Sequence, residues 1–221
     1  TRVSELQCKT FEAKQWFESA QTVHRIRVAL KFMDWNALED IIKNMHFVSV
    51  VDEVKPEIHL AQNEIHNRIV ILSLKEALSN GSIRGEIGSI DLEHVALANL
   101  NISLVNAERL GCKTVEAKLL RTTASCMLKV REAVVNGEWS VVDEVLVDMK
   151  KEDISAIVSM EVQLIEEESK NRTIIMEVAT ALSMGAIAGV PGNIETSGVD
   201  ANVMEDAILR VKQIGPRSEE S

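Results

Sequence analysis

The stretch that decides the fold lies at residues 112–149 and reads CKTVEAKLLRTTASCMLKVREAVVNGEWSVVDEVLVDM. A related stretch, CKTFEAKQWFESAQTVHRIRVALKFMDWNALEDIIKNM, lies at residues 8–45. Both begin with Cys-Lys-Thr, and each carries a tryptophan, Trp35 or Trp139, at the same distance from that beginning. The offset from position 8 to position 112 is 104 residues. It holds without a gap to the end of the chain, as a fixed repeat period does.

At this offset roughly thirty residue pairs are identical, far more than chance would give. A weaker similarity divides each copy, because Ala29-Leu30 before Trp35 resembles Ala77-Leu78 before Ile83. We therefore predict an all-α, helical-repeat array of the α-solenoid-like kind, with about eight antiparallel helices. Two tandem repeats, 6–109 and 110–213, would each contain two helical hairpins, and 214–221 would form a polar C-terminal tail.

Apolar residues that advance by three and four predict the helices themselves. Thr10 is expected to be the N-cap of the first helix. The second helix is expected to begin near Asp34 or Asn36, and Asn36 with Glu39 has the spacing of a capping box. Gly81 and Gly111 stand where the third and fourth helices should stop. The predicted helices span about 10–31, 34–44, 52–79, 92–110, 114–135, 140–150, 153–184 and 199–214.

Composition narrows the classes of function. The chain has 221 residues, 46% of them hydrophobic and only 3% aromatic, so its core should be aliphatic helix-on-helix packing. The formal net charge of −10 disfavours nucleic acid and anionic membranes as partners. The most apolar late stretch, 178–194, is interrupted by three glycines and a proline, so no membrane span is predicted.

The three cysteines indicate a reducing compartment. Their number is odd, no CxxC pair occurs, and Cys8 and Cys112 would sit a full repeat apart. We therefore expect three reduced thiols and a cytoplasmic location. The chain begins at Thr1 without an initiator methionine or a signal peptide, which indicates a fragment of a longer protein.

No motif in the sequence predicts an enzyme. The glycine segments GSIRGEIGSID (81–91) and GAIAGVPGNIE (185–195) follow neither the phosphate-binding nor the dinucleotide-binding pattern, so we interpret them as turns between helices. The five histidines show no metal-ligand spacing, and His59 and His66 have no histidine counterparts in the second copy. We expect no cofactor, no metal and no catalytic residue.

Polar residues on the long third helix of each copy form the richest constellation. Glu57, Glu64 and Arg68 recur as Glu161, Glu168 and Arg172, with each glutamate–arginine pair at i,i+4 in the favourable order. One interpretation is an ion-pair network that recurs with the repeat. The other is a polar stripe that meets a partner. Trp35 and Trp139 are interpreted as packing residues between the helices of a hairpin, with a partner anchor as the alternative.

Phe11, Trp16 and Phe17 cluster in the first helix, where the second copy has Val115, Leu120 and Arg121. Such a patch predicts a surface for self-association or for docking a preceding segment. The favoured function is a non-enzymatic scaffold that binds a protein partner or adjacent repeats, with weak homo-oligomerisation as a possibility. The alternatives are a structural spacer or self-assembly module of a cytoskeletal or motor-like protein and, third, an all-α enzyme.

Overall fold

The structure is a computed structural model that describes residues 10–45, 50–184, 186–195, 198 and 200–214. Leu6, Cys8 and the predicted tail from residue 215 onward lie outside the described residues. Within them the chain is mostly helical, with eight α-helices and two small antiparallel sheets. The helices are α1 (Phe11–Lys31), α2 (Trp35–Lys43), α3 (Lys55–Ser79), α4 (Leu97–Leu110), α5 (Val115–Asn136), α6 (Trp139–Met149), α7 (Ser159–Ser183) and α8 (Ala201–Ile214).

The strands are β1 (Arg84–Glu86), β2 (Ser89–Asp91), β3 (Ala188–Val190) and β4 (Asn193–Glu195). The all-α prediction is confirmed in its main content, but the two glycine segments form β-hairpins and not simple turns between helices. Helices α4 and α8 begin at Leu97 and Ala201, later than the predicted 92 and 199.

The bounds of the elements recur at one offset. Helices α1 to α4 begin at 11, 35, 55 and 97, and α5 to α8 begin at 115, 139, 159 and 201, in each case 104 residues later. Strands β1 and β2 begin at 84 and 89, while β3 and β4 begin at 188 and 193, at the same offset of 104 residues. Short 3₁₀ turns, Asp52–Val54 and Ala156–Val158, precede α3 and α7.

The chain divides into two compact units, one of residues 1–76 and 102–121 and the other of residues 77–101 and 122–221. The predicted division into 6–109 and 110–213 stays a prediction. In the first unit α1, α2 and α3 share an aliphatic core. Its buried members are Val23, Ile26, Ala29, Leu38, Ile41, Val50, Ile58, Ala61 and Ile65.

The turn between α1 and α2 decides between the two predicted starts of the second helix. Asp34, not Asn36, is the N-cap of α2, and its Oδ1 accepts the Ala37 N–H at 3.0 Å. The helix can begin at Trp35 because Met33, at φ 54°, reverses the chain just before it. The predicted cap of α1 is confirmed, since Thr10 Oγ1 accepts the Ala13 N–H at 3.1 Å.

In the second unit α7 is the central element and packs against α6, α8, the 3₁₀ turn before it and β1. Each unit also contains a buried hydroxyl at the matching position of its own helix. Ser19 Oγ in α1 accepts the Val51 N–H at 3.1 Å, and Thr123 Oγ1 in α5 accepts the Ser155 N–H at 3.0 Å. Each bond holds the chain segment that leads into the long helix.

Within the described residues, no helix combines the length and the apolar character needed to cross a bilayer.

Candidate functional site

Five side chains on and beside each of the long helices α3 and α7 form two matching clusters. The first cluster consists of Arg27, Trp35, Glu57, Glu64 and Arg68. The second cluster consists of Arg131, Trp139, Glu161, Glu168 and Arg172, each 104 positions further along the chain. In the first cluster Arg27 comes from α1, Trp35 from α2 and the other three side chains from α3. In the second cluster the matching residues come from α5, α6 and α7.

The centre of the second cluster is a buried ion pair. Arg131 Nε and Nη2 donate to the two carboxylate oxygens of Glu161, both at 2.8 Å. Arg131 also donates through Nη2 to the carbonyl oxygen of Leu78 at 2.8 Å and through Nη1 to that of Ala77 at 3.4 Å. These two carbonyls belong to the last turn of α3, where no intrahelical donor remains for them. Arg131 therefore caps the end of α3 while it neutralises Glu161.

The β1–β2 hairpin is held on the same cluster through its main chain. Glu161 Oε1 accepts the Ile83 N–H at 2.9 Å, and Glu168 Oε2 accepts the Gly88 N–H at 2.5 Å. Both glutamates are buried, and Glu168 is balanced by Arg172, whose Nε donates to Glu168 Oε1 at 2.6 Å. Charge-assisted bonds of this kind are roughly twice as strong as neutral ones. The second cluster is thus a receptor for a helix end and a β-hairpin.

The first cluster has the same central pair, and among the described residues no segment docks on it through hydrogen bonds like those of the second cluster. Arg27 Nε and Nη2 donate to the carboxylate oxygens of Glu57 at 2.7 and 2.8 Å, which reproduces the Arg131–Glu161 geometry. The Arg27 side chain is 66% exposed, whereas that of Arg131 is 0% exposed. The hydrogen bond from Arg27 lowers the pKa of the Glu57 carboxyl and raises the pKa of the guanidinium. The Arg27–Glu57 pair is therefore open to solvent, whereas the matching Arg131–Glu161 pair is buried.

The predicted i,i+4 pairs differ between the clusters. Glu168 pairs with Arg172, as predicted. Among the described residues, however, no ion pair joins Glu64 to Arg68, so that predicted pair is wrong in this structure. Arg68 lies with its guanidinium carbon 3.8 Å from the ring centre of Trp35, and its buried Nε has no hydrogen-bond partner in the described part of the chain. Glu64 is half-buried.

The tryptophans have a more specific role than packing within a hairpin. Trp139 is half-buried, and the Arg172 guanidinium carbon lies 4.5 Å from its ring centre. The same cation–π contact forms between Arg68 and Trp35. Each ring thus orients an arginine of the neighbouring long helix. Sequence reasoning missed these contacts, although the shared 104-residue offset of the tryptophans and arginines was a signal for them.

The predicted aromatic patch lies on α1. Phe11 and Trp16 are exposed and Phe17 is half-buried. In α5 the corresponding Leu120 is almost fully buried, and Arg121 donates through Nη2 to Glu108 at 3.1 Å. The three aromatic residues do not belong to the first cluster, but they share α1 with Arg27.

Other possible reactive groups are few in the described residues. Cys112 and Cys126 are unpaired, and burial raises the pKa of the Cys126 thiol. Asp91, Glu93 and His94 offer three ligand atoms within 4.8 Å of one another, all exposed. Sequence reasoning did not single out this trio. Asp91 Oδ1 also accepts the Glu93 N–H at 2.9 Å, so the aspartate serves the turn after β2.

The comparisons with known proteins give no relative. No family model, no curated protein and no solved structure matches the chain. The clusters and their surroundings are therefore the basis for any proposal of function.

Proposed function

We propose that the chain is a non-enzymatic helical-repeat scaffold segment of a cytoplasmic protein and that it mediates protein–protein interaction. In this proposal residues 6–109 and 110–213 are tandem repeats of an α-solenoid-like array. The common offset of 104 residues in all eight helices and four strands supports it. So does the recurrence of the cluster with an identical residue at each of its five positions. The two unpaired cysteines agree with a reducing compartment.

One observation carries the protein-binding role. The second cluster binds main-chain N–H and carbonyl groups of a helix end and a β-hairpin, and the first cluster presents the same groups uncovered. Carboxylates and a guanidinium that are already paired with each other lose little conformational freedom when a main chain docks on them. The first cluster is therefore a preorganised site for a protein segment of that shape.

The test is a titration with the segment that the second cluster holds. A synthetic peptide of residues 77–91, closed into a hairpin by a terminal disulfide, is titrated into the full chain in a calorimeter. We expect saturable binding at one site. The same titration into Arg27→Glu should show binding weaker by about tenfold or more, since charge reversal beside Glu57 repels the helix-end carbonyls and breaks the pair.

The matched control is an otherwise identical peptide with Gly85 and Gly88 replaced by alanine. It keeps the charges but cannot adopt the hairpin, because Gly85 and Gly88 have φ of 113° and 83°. No binding of the native peptide, or equal binding by parent and Arg27→Glu chains, would overturn the proposal that the first cluster binds protein.

A specific observation also favours the self-assembly alternative from the sequence. The β3–β4 hairpin has the same register as β1–β2, but Ile187 just before it is exposed, whereas Ile83 just before β1 is buried. The chain therefore carries both an uncovered receptor and an uncovered hairpin of the kind that such a receptor holds.

A further inference from the structure

We propose that the occupant of the first cluster is a second copy of this chain, which docks the end of its α7 and its β3–β4 hairpin there. The inference rests on the proposed function, since it names the partner of the same site. The contact of the β1–β2 hairpin with the second cluster is its template. The receptor groups of the template have counterparts 104 positions earlier, which one copy would supply. The docked groups have counterparts 104 positions later, which the other copy would supply.

On the docking segment, side chains at the end of α7 and before β3 are exposed where their counterparts at the end of α3 and before β1 are buried. Leu78 and Ile83, at the end of α3 and the start of the hairpin, are 1% and 2% exposed. Their counterparts Leu182 and Ile187 are 62% and 73% exposed. These two large aliphatic side chains, five positions apart in one segment, expose apolar area that a partner would remove from water.

The hairpin sequence keeps what the template contact uses. Ala188 and Val190 stand where β1 has Arg84 and Glu86, which are exposed in the template, so these differences do not disturb the contact. Pro191 replaces an isoleucine, but it removes no donor that the template uses. The donors in the template are the N–H groups at the positions of Ile187 and Gly192, which are both retained.

The receptor side shows the complementary exposure. In α5, Leu120 and Ala124 are almost fully buried, whereas Trp16 and Ala20 at the matching positions of α1 are exposed. Arg27 lies on the same helix and is exposed where Arg131 is buried. Trp16 and Arg27 are thus both exposed on α1, so this helix offers apolar and polar groups together, as protein interfaces do.

The geometry assigns specific hydrogen bonds to the docked pair. In each bond the receptor is one copy and the ligand is the other: Glu57 accepts the Ile187 N–H, Glu64 accepts the Gly192 N–H, and Arg27 donates to the carbonyls of Ala181 and Leu182. Glu64 stands where Glu168 accepts the Gly88 N–H in the template. The two surfaces differ, so the contact is heterologous and can continue from copy to copy.

The test exploits this asymmetry with two variants of the full chain. Ile187→Glu places a charge on the ligand surface, and Arg27→Glu spoils the receptor. Sedimentation velocity over a concentration series should show the parent associating beyond a dimer and each variant alone remaining monomeric. An equimolar mixture should form a one-to-one dimer, since each variant retains the surface that the other lacks.

The matched control is Val147→Glu. Val147 is also an exposed aliphatic residue, and its counterpart 104 positions earlier is the charged Lys43. This variant should associate like the parent. Circular dichroism and melting of all three variants should match the parent, because every substituted side chain is exposed.

Three results would overturn the proposal. They are a parent that stays monomeric at every concentration, association that persists in either variant, and a mixture of the two variants that stays monomeric. A chain that binds the peptide of residues 77–91 and yet remains monomeric retains the proposed protein-binding function and loses the self-association. A chain that does neither loses both.

Discussion

Arg131 and Glu161 form a bidentate ion pair, with both nitrogen–oxygen distances at 2.8 Å and almost no exposure of either side chain. A buried pair of this kind is not in itself a large source of stability, because both charges had to leave water. Its importance here is positional. The pair supplies an acceptor for the β1–β2 hairpin and a donor for the end of α3, so several segments depend on it.

Replacing Arg131 should therefore destabilise the fold strongly. Arg131→Met leaves Glu161 buried without its countercharge and should lower the free energy of unfolding by about 3–5 kcal/mol. Arg27→Met is the matched control and should change it little, because solvent already surrounds that pair. Urea denaturation of the two variants and the parent measures the difference. Equal losses in both variants would mean that the hairpin does not depend on the buried pair.

The glycines of the two hairpins allow a second matched comparison. Gly85 and Gly189 have φ of 113° and 110°, and a Cβ on either would collide with a carbonyl oxygen of its own hairpin. Alanine there costs of order 1–3 kcal/mol if the hairpin must keep its shape. Gly85→Ala should carry that cost, because Glu161 and Glu168 hold its hairpin on α7. Gly189→Ala should cost less, because the exposed β3–β4 hairpin can open.

Thermal melting of Gly85→Ala and Gly189→Ala separates these cases. The order of the two melting temperatures is the prediction, with Gly85→Ala the lower. If Gly189→Ala were equally destabilised, its hairpin would be anchored by contacts of its own.

The helical framework could be predicted from the sequence because it depends on local signals. Apolar spacing of three and four residues, and a cap such as Thr10, specify a helix without knowledge of its neighbours. The hairpins could not be predicted in this way. Their strands are three residues long, too short for a period-two pattern, and they are stabilised by Glu161 and Glu168 from about 80 positions away.

The candidate site was predicted in part for the same reason. The matched Glu57, Arg68, Glu161 and Arg172 were visible as a constellation, because identity at a fixed offset needs no structure. The two uses of the constellation were not visible. One cluster is covered and the other open because of what packs on each, and this depends on tertiary contacts that residue identities alone do not encode.

Trp139 should contribute to stability less than a fully buried tryptophan does. The ring is half-buried and its distinctive contact is with the Arg172 guanidinium, which is worth about 0.5–1 kcal/mol at exposed sites. With the apolar area lost, Trp139→Ala should lower the free energy of unfolding by about 1–3 kcal/mol. Trp139→Phe should retain most of it. Denaturation of both variants tests this, and an unchanged midpoint in Trp139→Ala would show that the ring does not stabilise α7.

The Glu57 carboxyl should titrate below the ordinary range for glutamate. The hydrogen bond from Arg27 lowers the pKa of Glu57 in the folded chain, so the pair contributes stability above the pKa of the unfolded state. That contribution is lost as the pH falls through the lower, folded pKa. Carbon-detected NMR of the side-chain carboxyl should give the depressed pKa in the parent and a value near 4.3 in Arg27→Met, about that of a model peptide.

Because the pair is exposed, added salt should raise the pKa of Glu57 in the parent and leave that of Glu57 in Arg27→Met nearly unchanged. The same pKa in parent and variant would show that Arg27 does not hold the carboxylate in solution, and the first cluster would then lack the preorganised pair on which docking depends.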